Sequence, residues 1–345
     1  MPSLNAPVAV TGGTGYVASW VIQELLSRGA TVHATVRDPT KVERVAYLNE
    51  MADASAGTLV LYAADLLQDG AFADALQGCE IVIHTASPFL YGKIKDPQRQ
   101  LVDPALKGTR NVLTQVNETE SVRRVVLTSS VVAIYGDVGD CADRGGTLTE
   151  ADWNETSSLD HNPYPYSKTV AEREAWKIAE AQDRWTLAVI NPGFVMGPSL
   201  PPTRRDGASM KFMRDTIDGT LRFGTLDHQS GWVDVRDVAK AHVEAAVRDD
   251  AEGRHILSAQ TASFYDAGQI IKAKLGDRVK VPPRTISKIG SYIAGPFNGF
   301  SMKYIARNVG HPLAFDNTRS KERLGIEYRP LAETLVEHAT QILDN

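Results

Sequence analysis

The chain has 345 residues, 43% of them hydrophobic and 23% charged, with a formal net charge of −5. That length predicts roughly two domains, the acidic balance argues against a nucleic-acid partner, and two cysteines are too few for a secreted disulfide framework. No apolar run approaches the roughly 18 residues of a membrane span, and the amino terminus lacks the basic patch of a signal peptide, so we expect a cytoplasmic protein without a membrane segment.

The first half of the chain alternates apolar, β-branched runs with longer helical patterns. Strands are predicted at 8–10, 31–36, 59–63, 80–86, 124–130 and 186–192. Helices are predicted at 16–28, 40–51, 97–116 and 164–181. Strands that are apolar along their length are buried on both faces, and helical crossovers make them parallel. We therefore predict an α/β fold of Rossmann type, with a doubly wound parallel sheet.

The second half of the chain has a different character, because glycine and proline are dense in the stretch NPGFVMGPSLPP after the sixth strand. We assign residues 1–193 to the sheet domain and residues 194–345 to a smaller, mostly helical substrate-binding region. Segments within about 231–260, such as GWVDVRDVAKAHVEAAV, are expected to return to the sheet domain.

A glycine-rich turn lies between the first strand and the first helix, in the stretch VAVTGGTGYVAS. Gly12, Gly13, Gly15 and Ala18 are small enough for the backbone to approach a pyrophosphate, which the helix amino terminus attracts. The spacing fits the dinucleotide-binding fingerprint, and its place between strand and helix makes the signal strong. The residues expected to contact the dinucleotide here are Thr11, Gly12, Gly15, Tyr16 and Val17.

The second strand ends in VRDPTK, where a dinucleotide-binding fold contacts the adenosine ribose. Arg37 and Lys41 can bind a 2′-phosphate, so the sequence favours NADP(H), although Asp38 could instead bind the ribose hydroxyl. Asp65, with its neighbour Leu66, follows the third strand and is placed either to contact adenine or to cap a helix. Both roles of Asp65 fit this position equally well.

The stretch YPYSK opens a predicted helix about 35 residues after LTSS, which ends the fifth strand. Tyr164 and Lys168 are spaced i, i+4 and share one helix face, whereas Tyr166 points elsewhere. Positive charge beside a phenol lowers its pKa, which suits a proton donor in carbonyl reduction. A serine at the strand end would hold the carbonyl oxygen.

The motifs TGGTGYVAS, VRDP, HTASPF, VLTSS, YPYSK, NPGFVMGP and VDVRDVAKAH occur in that order. As a set they resemble the extended short-chain dehydrogenase/reductases, and more narrowly the branch of dihydroflavonol reductases, cinnamoyl-CoA reductases and fungal NADPH-dependent aldehyde and ketone reductases. The resemblance runs from residue 8 to the carboxyl end. It implies a reductase that uses NADP(H) to convert an aldehyde or ketone into an alcohol.

The resemblance also implies roles for individual residues. Ser130 would bind the carbonyl, Tyr164 would donate the proton, and Lys168 would bind the nicotinamide ribose and lower the pKa of Tyr164. Further coenzyme contacts would come from Thr85, Ala86, Ser87, Thr128, Pro192, Gly193 and Val195. A hydrophobic or aromatic substrate would meet the apolar side chains of Phe89, Val131 and Phe194.

The sequence departs from the family pattern at two places. Many relatives hold a proton-relay water with an asparagine three residues before the glycine of the central helix, where this chain has Ala105 before Gly108. The residues before Lys168 also lack the Trp-, Tyr- and Cys-rich signature of cinnamoyl-CoA reductases. That difference disfavours a CoA thioester as substrate.

Alternatives remain at this stage. One is a dihydroflavonol reductase, and another is a nucleotide-sugar epimerase or dehydratase, whose diphosphate would need a basic site such as Arg204–Arg205. A third is a redox sensor that binds NADP(H) without turnover. In every case we expect a small-molecule ligand, no bound metal, no nucleic acid, no membrane, and a monomer or homodimer.

Overall fold

A parallel sheet forms the centre of the protein in this computed structural model, which describes residues 3–87, 94–201, 204 and 207–345. The strands of the described residues, in chain order, are β1 (Val8–Thr11), β2 (Thr31–Val36), β3 (Thr58–Ala63), β4 (Ile81–His84), β5 (Arg124–Thr128), β6 (Thr186–Pro192), β7 (Phe194–Met196), β8 (Thr225–Leu226), β9 (Gln229–Asp234), β10 (Gly253–Leu257), β11 (Gln260–Ser263) and β12 (Thr285–Ile286). Strands β7, β9 and β11 form a second sheet, and β8 and β12 form a third.

Helices connect these strands and dominate the second half of the chain. They are α1 (Tyr16–Ser27), α2 (Val42–Asp53), α3 (Ala73–Leu76), α4 (Asp103–Glu118), α5 (Asp140–Asp143), α6 (Pro163–Glu180), α7 (Ala208–Ile217), α8 (Val235–Val247), α9 (Phe264–Leu275), α10 (Lys288–Ala294), α11 (Met302–Asn308), α12 (Thr318–Leu324) and α13 (Leu331–Leu343). A π-helical turn, Gln98–Val102, leads into α4, and 3₁₀ turns cover Val131–Ala133, Asp249–Ala251, Gly276–Arg278 and Pro296–Asn298.

Within the described residues the main sheet has seven strands, in the order β10-β6-β5-β4-β1-β2-β3, and all are parallel. The predicted α/β class, doubly wound sheet and mostly helical carboxyl region are confirmed. β10 lies within residues 231–260, the part of the second half expected to return to the sheet domain. Helix α8 lies in the same part and packs against α1. The division of the chain into domains at residue 193 stays a prediction.

Burial follows from the place of each strand in the sheet. β1 and β4 lie near the centre and are buried at every residue. β3 is different, because it is an edge strand and several of its residues are exposed. The expectation that every apolar strand is covered on both faces is therefore wrong for β3. Its outer edge has no neighbouring strand in the described residues.

A second apolar core lies in the carboxyl half, where β7, β9, α7, α9 and α13 pack together. Its centre is an aromatic cluster with ring centroids 5.0–6.2 Å apart, formed by Phe194, Phe212, Trp232 and Phe264. Among the described helices none combines the length and the apolar character needed to span a bilayer.

Candidate functional site

The carboxyl ends of the parallel strands form the edge that carries the predicted motifs. Thr11 of β1 lies opposite His84 of β4, and Thr128 of β5 lies opposite Ile190 of β6. In an open α/β sheet, ligands bind beside this edge. The segments after β1, β4, β5 and β6 therefore meet at one candidate site.

The glycine turn after β1 needs glycine for steric reasons. Gly12 has a φ of +72°, and a Cβ there would lie 3.1 Å from Cα and Cβ of Ala86. The N–H groups of Gly12 and Gly13 donate to Thr35, at 3.2 Å to its hydroxyl and 2.7 Å to its carbonyl. The turn is thus tied to β2 and closely packed against the segment after β4.

Open N–H groups follow at the start of α1. Its first hydrogen bond within the helix runs from Ser19 N–H to Gly15 O, at 3.0 Å. The N–H groups of the first turn, including Tyr16 and Val17, have no acceptor inside the helix and suit an anion. This arrangement fits the pyrophosphate of a dinucleotide.

Side chains of the same helix bind a later segment of the chain, which the sequence did not indicate. The Tyr16 hydroxyl donates to Gly197 O at 2.7 Å, and Trp20 Nε1 donates to Pro198 O at 2.9 Å. The Arg204 guanidinium donates to the carbonyl of Thr14. Burial and the negative charge of Asp234 raise the pKa of Tyr16 well above its usual value. Arg205, which forms the predicted basic pair with Arg204, lies outside the described residues.

The end of β2 presents two exposed cations, Arg37 and Lys41. Asp38 is engaged in its own turn, where it accepts hydrogen bonds from the Thr40 hydroxyl at 2.6 Å and the Thr40 N–H at 3.0 Å. These bonds lower the pKa of the Asp38 carboxyl. The exposed positive charge at this edge suits a phosphate better than a ribose hydroxyl.

Asp65 and Leu66, which follow β3, contact other groups of the protein. Asp65 accepts a hydrogen bond from Leu67 N–H at 2.8 Å within a turn, and it caps no helix, because the next helix, α3, begins only at Ala73. A contact of Asp65 with adenine stays a prediction. Leu66 packs tightly on α4, because a Cβ at Gly108 would lie 2.7 Å from its Cγ. Asn111 of α4 donates to Leu66 O at 2.9 Å, so this asparagine holds the loop after β3.

The loop after β4 is bonded to the end of β1. Ala86 N–H donates to the Thr11 hydroxyl at 3.1 Å, and that hydroxyl lies 2.8 Å from His84 Nδ1. Thr85 donates to Thr11 O at 2.5 Å. Burial, followed by the charge of Lys168, lowers the pKa of His84 to about 3. Phe89, a predicted substrate contact in this loop, lies outside the described residues.

Ser130 is the second residue after β5 and the N-cap of the 3₁₀ turn Val131–Ala133. Its hydroxyl accepts from Val132 N–H at 3.3 Å and lies 3.4 Å from Pro192 O. Val131 is buried in an apolar cluster that includes Tyr135. Helix α6 packs against this turn, which brings the Tyr164–Lys168 helix beside the serine.

Tyr164 and Lys168 lie one turn apart on α6, as predicted, and the Lys168 ammonium donates to the Ser87 hydroxyl at 3.5 Å. Burial raises the pKa of Tyr164 to about 12 and lowers that of Lys168 to about 8. The pKa shift of Tyr164 is opposite in direction to the expected one, because burial removes the phenol from water. The phenol is therefore protonated at neutral pH.

The segment after β6 passes close to β9. Gly193 donates its N–H to Leu257 O at 2.9 Å, and a Cβ at Gly193 would overlap with the carbonyl oxygen of Gly231. The Val195 carbonyl accepts from the Ser209 hydroxyl at 2.7 Å. Phe194, predicted to meet the substrate, packs in the aromatic cluster of the second core.

Two side chains at the same edge, His242 and Glu172, were not singled out as site residues from the sequence. His242 of α8 donates from Nδ1 to Val238 O at 2.7 Å and lies with Nε2 2.6 Å from the Thr128 hydroxyl. Burial lowers the pKa of His242 to about 4, so the neutral ring accepts the Thr128 hydrogen. Glu172, one turn after Lys168, is 1% exposed and accepts a hydrogen bond from Ser129. Its i, i+4 spacing from Lys168 was the available signal.

Comparison with known proteins agrees with this geometry. The model of the NAD dependent epimerase/dehydratase family matches residues 8–258. Cinnamoyl-CoA reductase CAD2 of Medicago truncatula is 36% identical over 97% of this chain and 95% of its own length.

Solved structures agree as well. Gre2 of Candida albicans in complex with NADPH is 29% identical, with a TM-score of 0.78 and 98% of each chain covered. The yeast methylglyoxal/isovaleraldehyde reductase Gre2 complexed with NADPH is 25% identical, with a TM-score of 0.76 and the same coverage. The resemblance identified from the motifs is confirmed. The chain belongs to the NAD dependent epimerase/dehydratase family and, within it, to the NAD(P)-dependent reductases of the extended short-chain dehydrogenase/reductase type.

Proposed function

We propose that this protein is an NADPH-dependent reductase that converts a hydrophobic or aromatic aldehyde or ketone into an alcohol. The observation that carries the proposal is the packing of α6, with Tyr164 and Lys168 on one face, against the turn that begins at Ser130. The glycine turn and the open N–H groups of α1 lie at the same edge. When bound there, reduced nicotinamide would supply a hydride to the carbonyl carbon.

The residues of the chain would handle the carbonyl oxygen. The Ser130 hydroxyl donates a hydrogen bond to it, and Tyr164 transfers its phenolic proton to the same oxygen as the alcohol forms. Lys168 holds positive charge beside the phenolate that remains, which stabilises it until a proton from solvent restores the phenol. Burial favours the protonated phenol before reaction.

Coenzyme choice would depend on the end of β2. Arg37 and Lys41 are exposed there, and Asp38 is occupied by Thr40. A guanidinium and an ammonium bind a 2′-phosphate well. The two Gre2 structures are NADPH complexes, which supports the same choice here.

Substrate choice stays a prediction from the apolar residues and from the relatives. One relative is a cinnamoyl-CoA reductase and one similar structure is a methylglyoxal/isovaleraldehyde reductase. Because the signature of the former is missing before Lys168, we favour free aldehydes and ketones over CoA thioesters. A cytoplasmic location and a monomeric or homodimeric state also remain predictions.

The proposal is tested by following NADPH absorbance with simple aldehydes, β-keto esters, dihydroquercetin and cinnamoyl-CoA. Tyr164→Phe should lower kcat at least about 100-fold on the best substrate, because general acid catalysis contributes roughly 10²–10⁴. The variant should still bind NADPH, as measured by fluorescence titration. Full activity of Tyr164→Phe would show that another group donates the proton. Tight NADPH binding without turnover of any carbonyl would favour a redox sensor.

A further inference from the structure

A buried carboxylate stands behind the Tyr164–Lys168 pair. Glu172 is 1% exposed and lies on α6 one turn beyond Lys168. It accepts hydrogen bonds from the Ser129 hydroxyl, from Asn191 Nδ2 at 2.8 Å, from Arg254 Nε at 2.6 Å and from Trp176 Nε1 at 3.4 Å. A charge buried to this degree is costly unless it is fully hydrogen-bonded, and Glu172 meets that condition.

Three of the four partners of Glu172 lie in strands of the main sheet or directly after one, and the fourth, Trp176, lies on α6 itself. Ser129 follows β5, Asn191 belongs to β6 and Arg254 belongs to β10. The Arg254 guanidinium also donates to the carbonyls of Glu150 and Asp152, at 2.9 and 2.5 Å. Glu172 thus fixes the rotation of α6 relative to the strand ends, and the same rotation sets where Lys168 points.

Lys168 and Glu172 face a common cavity. The cavity has a volume of about 20 Å³, and its lining includes Lys168, Glu172, Ser129, Thr109, Ser87 and His84. One water molecule needs a cavity of roughly 10–15 Å³ and two to four polar partners. Because Lys168 and Glu172 form no direct ion pair in the described part of the chain, the carboxylate acts on the ammonium across this space.

We propose that Glu172 is a positioning residue for the reduction, which keeps Lys168 charged and directed toward Tyr164 across the small cavity. The proposal rests on the proposed function, since it assigns Glu172 a role in the same proton transfer. The buried ion pair with Arg254 has no need of Lys168 for its own stability. A buried ion pair often adds little net stability to a protein. We therefore assign the Glu172–Arg254 pair the role of orienting α6.

Other groups that face Lys168 do not replace Glu172. Tyr164 shares its helix, and His84 of β4 has a pKa of about 3, because it is buried and lies near Lys168, so it is neutral. Helix α4 contributes Ala105 and Thr109, which carry no charge, and Arg254 of β10 stands behind the carboxylate. Burial lowers the pKa of Lys168 to about 8 and the charge of Glu172 raises it. Glu172 is therefore the group that opposes loss of the Lys168 proton.

The test compares the pH dependence of kcat in Glu172→Gln and in Glu174→Gln. Glu174 is a matched control, because it lies on the same helix and pairs with an arginine, Arg110, at 2.7 Å. Without the Glu172 charge, activity should be lost at lower pH on the alkaline side, by about 1 pH unit. The control should keep the wild-type profile. An unshifted alkaline limb in Glu172→Gln would overturn the proposal.

A second measurement reads Lys168 without catalysis. Acetic anhydride modifies only the neutral amine, so the labelling of Lys168 against pH, followed by mass spectrometry of the coenzyme-free protein, gives its titration directly. The labelling midpoint should move down in Glu172→Gln by the same amount and stay fixed in Glu174→Gln. A midpoint that does not move would contradict the proposal even if kcat falls.

The single variant leaves Arg254 without its carboxylate, so the double variant Glu172→Gln/Arg254→Gln, which removes both charges, is made beside it. A folded double variant with the same alkaline shift supports the proposal, and one with a wild-type profile overturns it. If neither variant folds, Glu172 is a stability element and the proposal is wrong. Absence of NADPH-dependent turnover of every carbonyl by the wild-type protein would instead overturn the proposed function, so the two failures are distinct.

Discussion

At the scale of single residues, burial and charge act against each other at Lys168. Its pKa is about 8, lower than that of a free lysine because of burial, although Glu172 raises it. Tyr164 beside it has a pKa of about 12, raised by burial. At neutral pH the pair therefore holds a protonated phenol and a mostly protonated amine. That is the starting state a proton donor requires.

Arg37 carries a prediction at the same scale. Arg37→Ser should raise KM for NADPH at least about tenfold, since hydrogen bonds to charged groups contribute about 1.5–3 kcal/mol. KM for NADH, which has no 2′-phosphate, should change little. Steady-state kinetics with both coenzymes provides the measurement, and Lys274→Ser, an exposed cation on α9, serves as control. Equal effects on both coenzymes would contradict a phosphate contact.

At the scale of elements, α6 is held at its start as well as behind Lys168. Asn162, its N-cap residue, has a φ of +55°, a left-handed conformation that asparagine tolerates better than most residues. Its Nδ2 donates to Gly136 O and to Asp137 Oδ1, both at 2.9 Å. Asn308 of α11 donates to the same Asp137. The helix that carries Tyr164 is thereby linked to the carboxyl half.

The close approach of Gly193 to β9 yields a prediction about an element. In Gly193→Ala the new Cβ would overlap with the carbonyl oxygen of Gly231, and backbone cannot rotate away as a side chain can. Overpacking of this kind costs typically about 1–3 kcal/mol, so the free energy of unfolding should fall by that amount. Urea denaturation followed by circular dichroism measures the loss. An unchanged midpoint would mean that the two segments separate without cost.

In the molecule as a whole, five histidines with lowered pKa values make the stability of the fold depend on pH. Burial lowers the pKa to about 3 for His84 and His338 and to about 4 for His228, His242 and His255. An unfolded histidine titrates near pH 6.5. Between these values the unfolded chain binds more protons than the folded one, and acid therefore favours unfolding.

Acid stability follows as a prediction. The free energy of unfolding should be level above about pH 6.5 and fall as the pH drops toward 4, by up to roughly 1.4 kcal/mol per pH unit for each buried histidine. Urea titrations at pH 7.5, 6.5 and 5.5 measure the slope. His242→Gln, which removes one of the five groups, should reduce that slope. A flat profile down to pH 5 would show that these rings can protonate without unfolding the protein.

Local features of this protein could be predicted from the amino-acid sequence alone. The apolar runs and helical patterns predicted β1 to β6 and the helices α1, α2, α4 and α6, because strand and helix periods are local properties. The short helices α3 and α5 were not predicted. The glycine turn and the i, i+4 pair of Tyr164 and Lys168 were also local, so their geometry followed from spacing alone. The fold class and the family were within reach for the same reason.

Features that depend on distant segments and on burial could not be predicted from the sequence and are visible in the folded protein. Arg254 and Glu172 are 82 residues apart in sequence, and Arg204 and Thr14 are 190 apart, yet each pair is hydrogen-bonded. No spacing rule joins residues at such separations. The direction of the Tyr164 pKa also depended on packing, because the cost of taking a charge out of water is set by all the neighbours around it and not by the one cation the motif supplies.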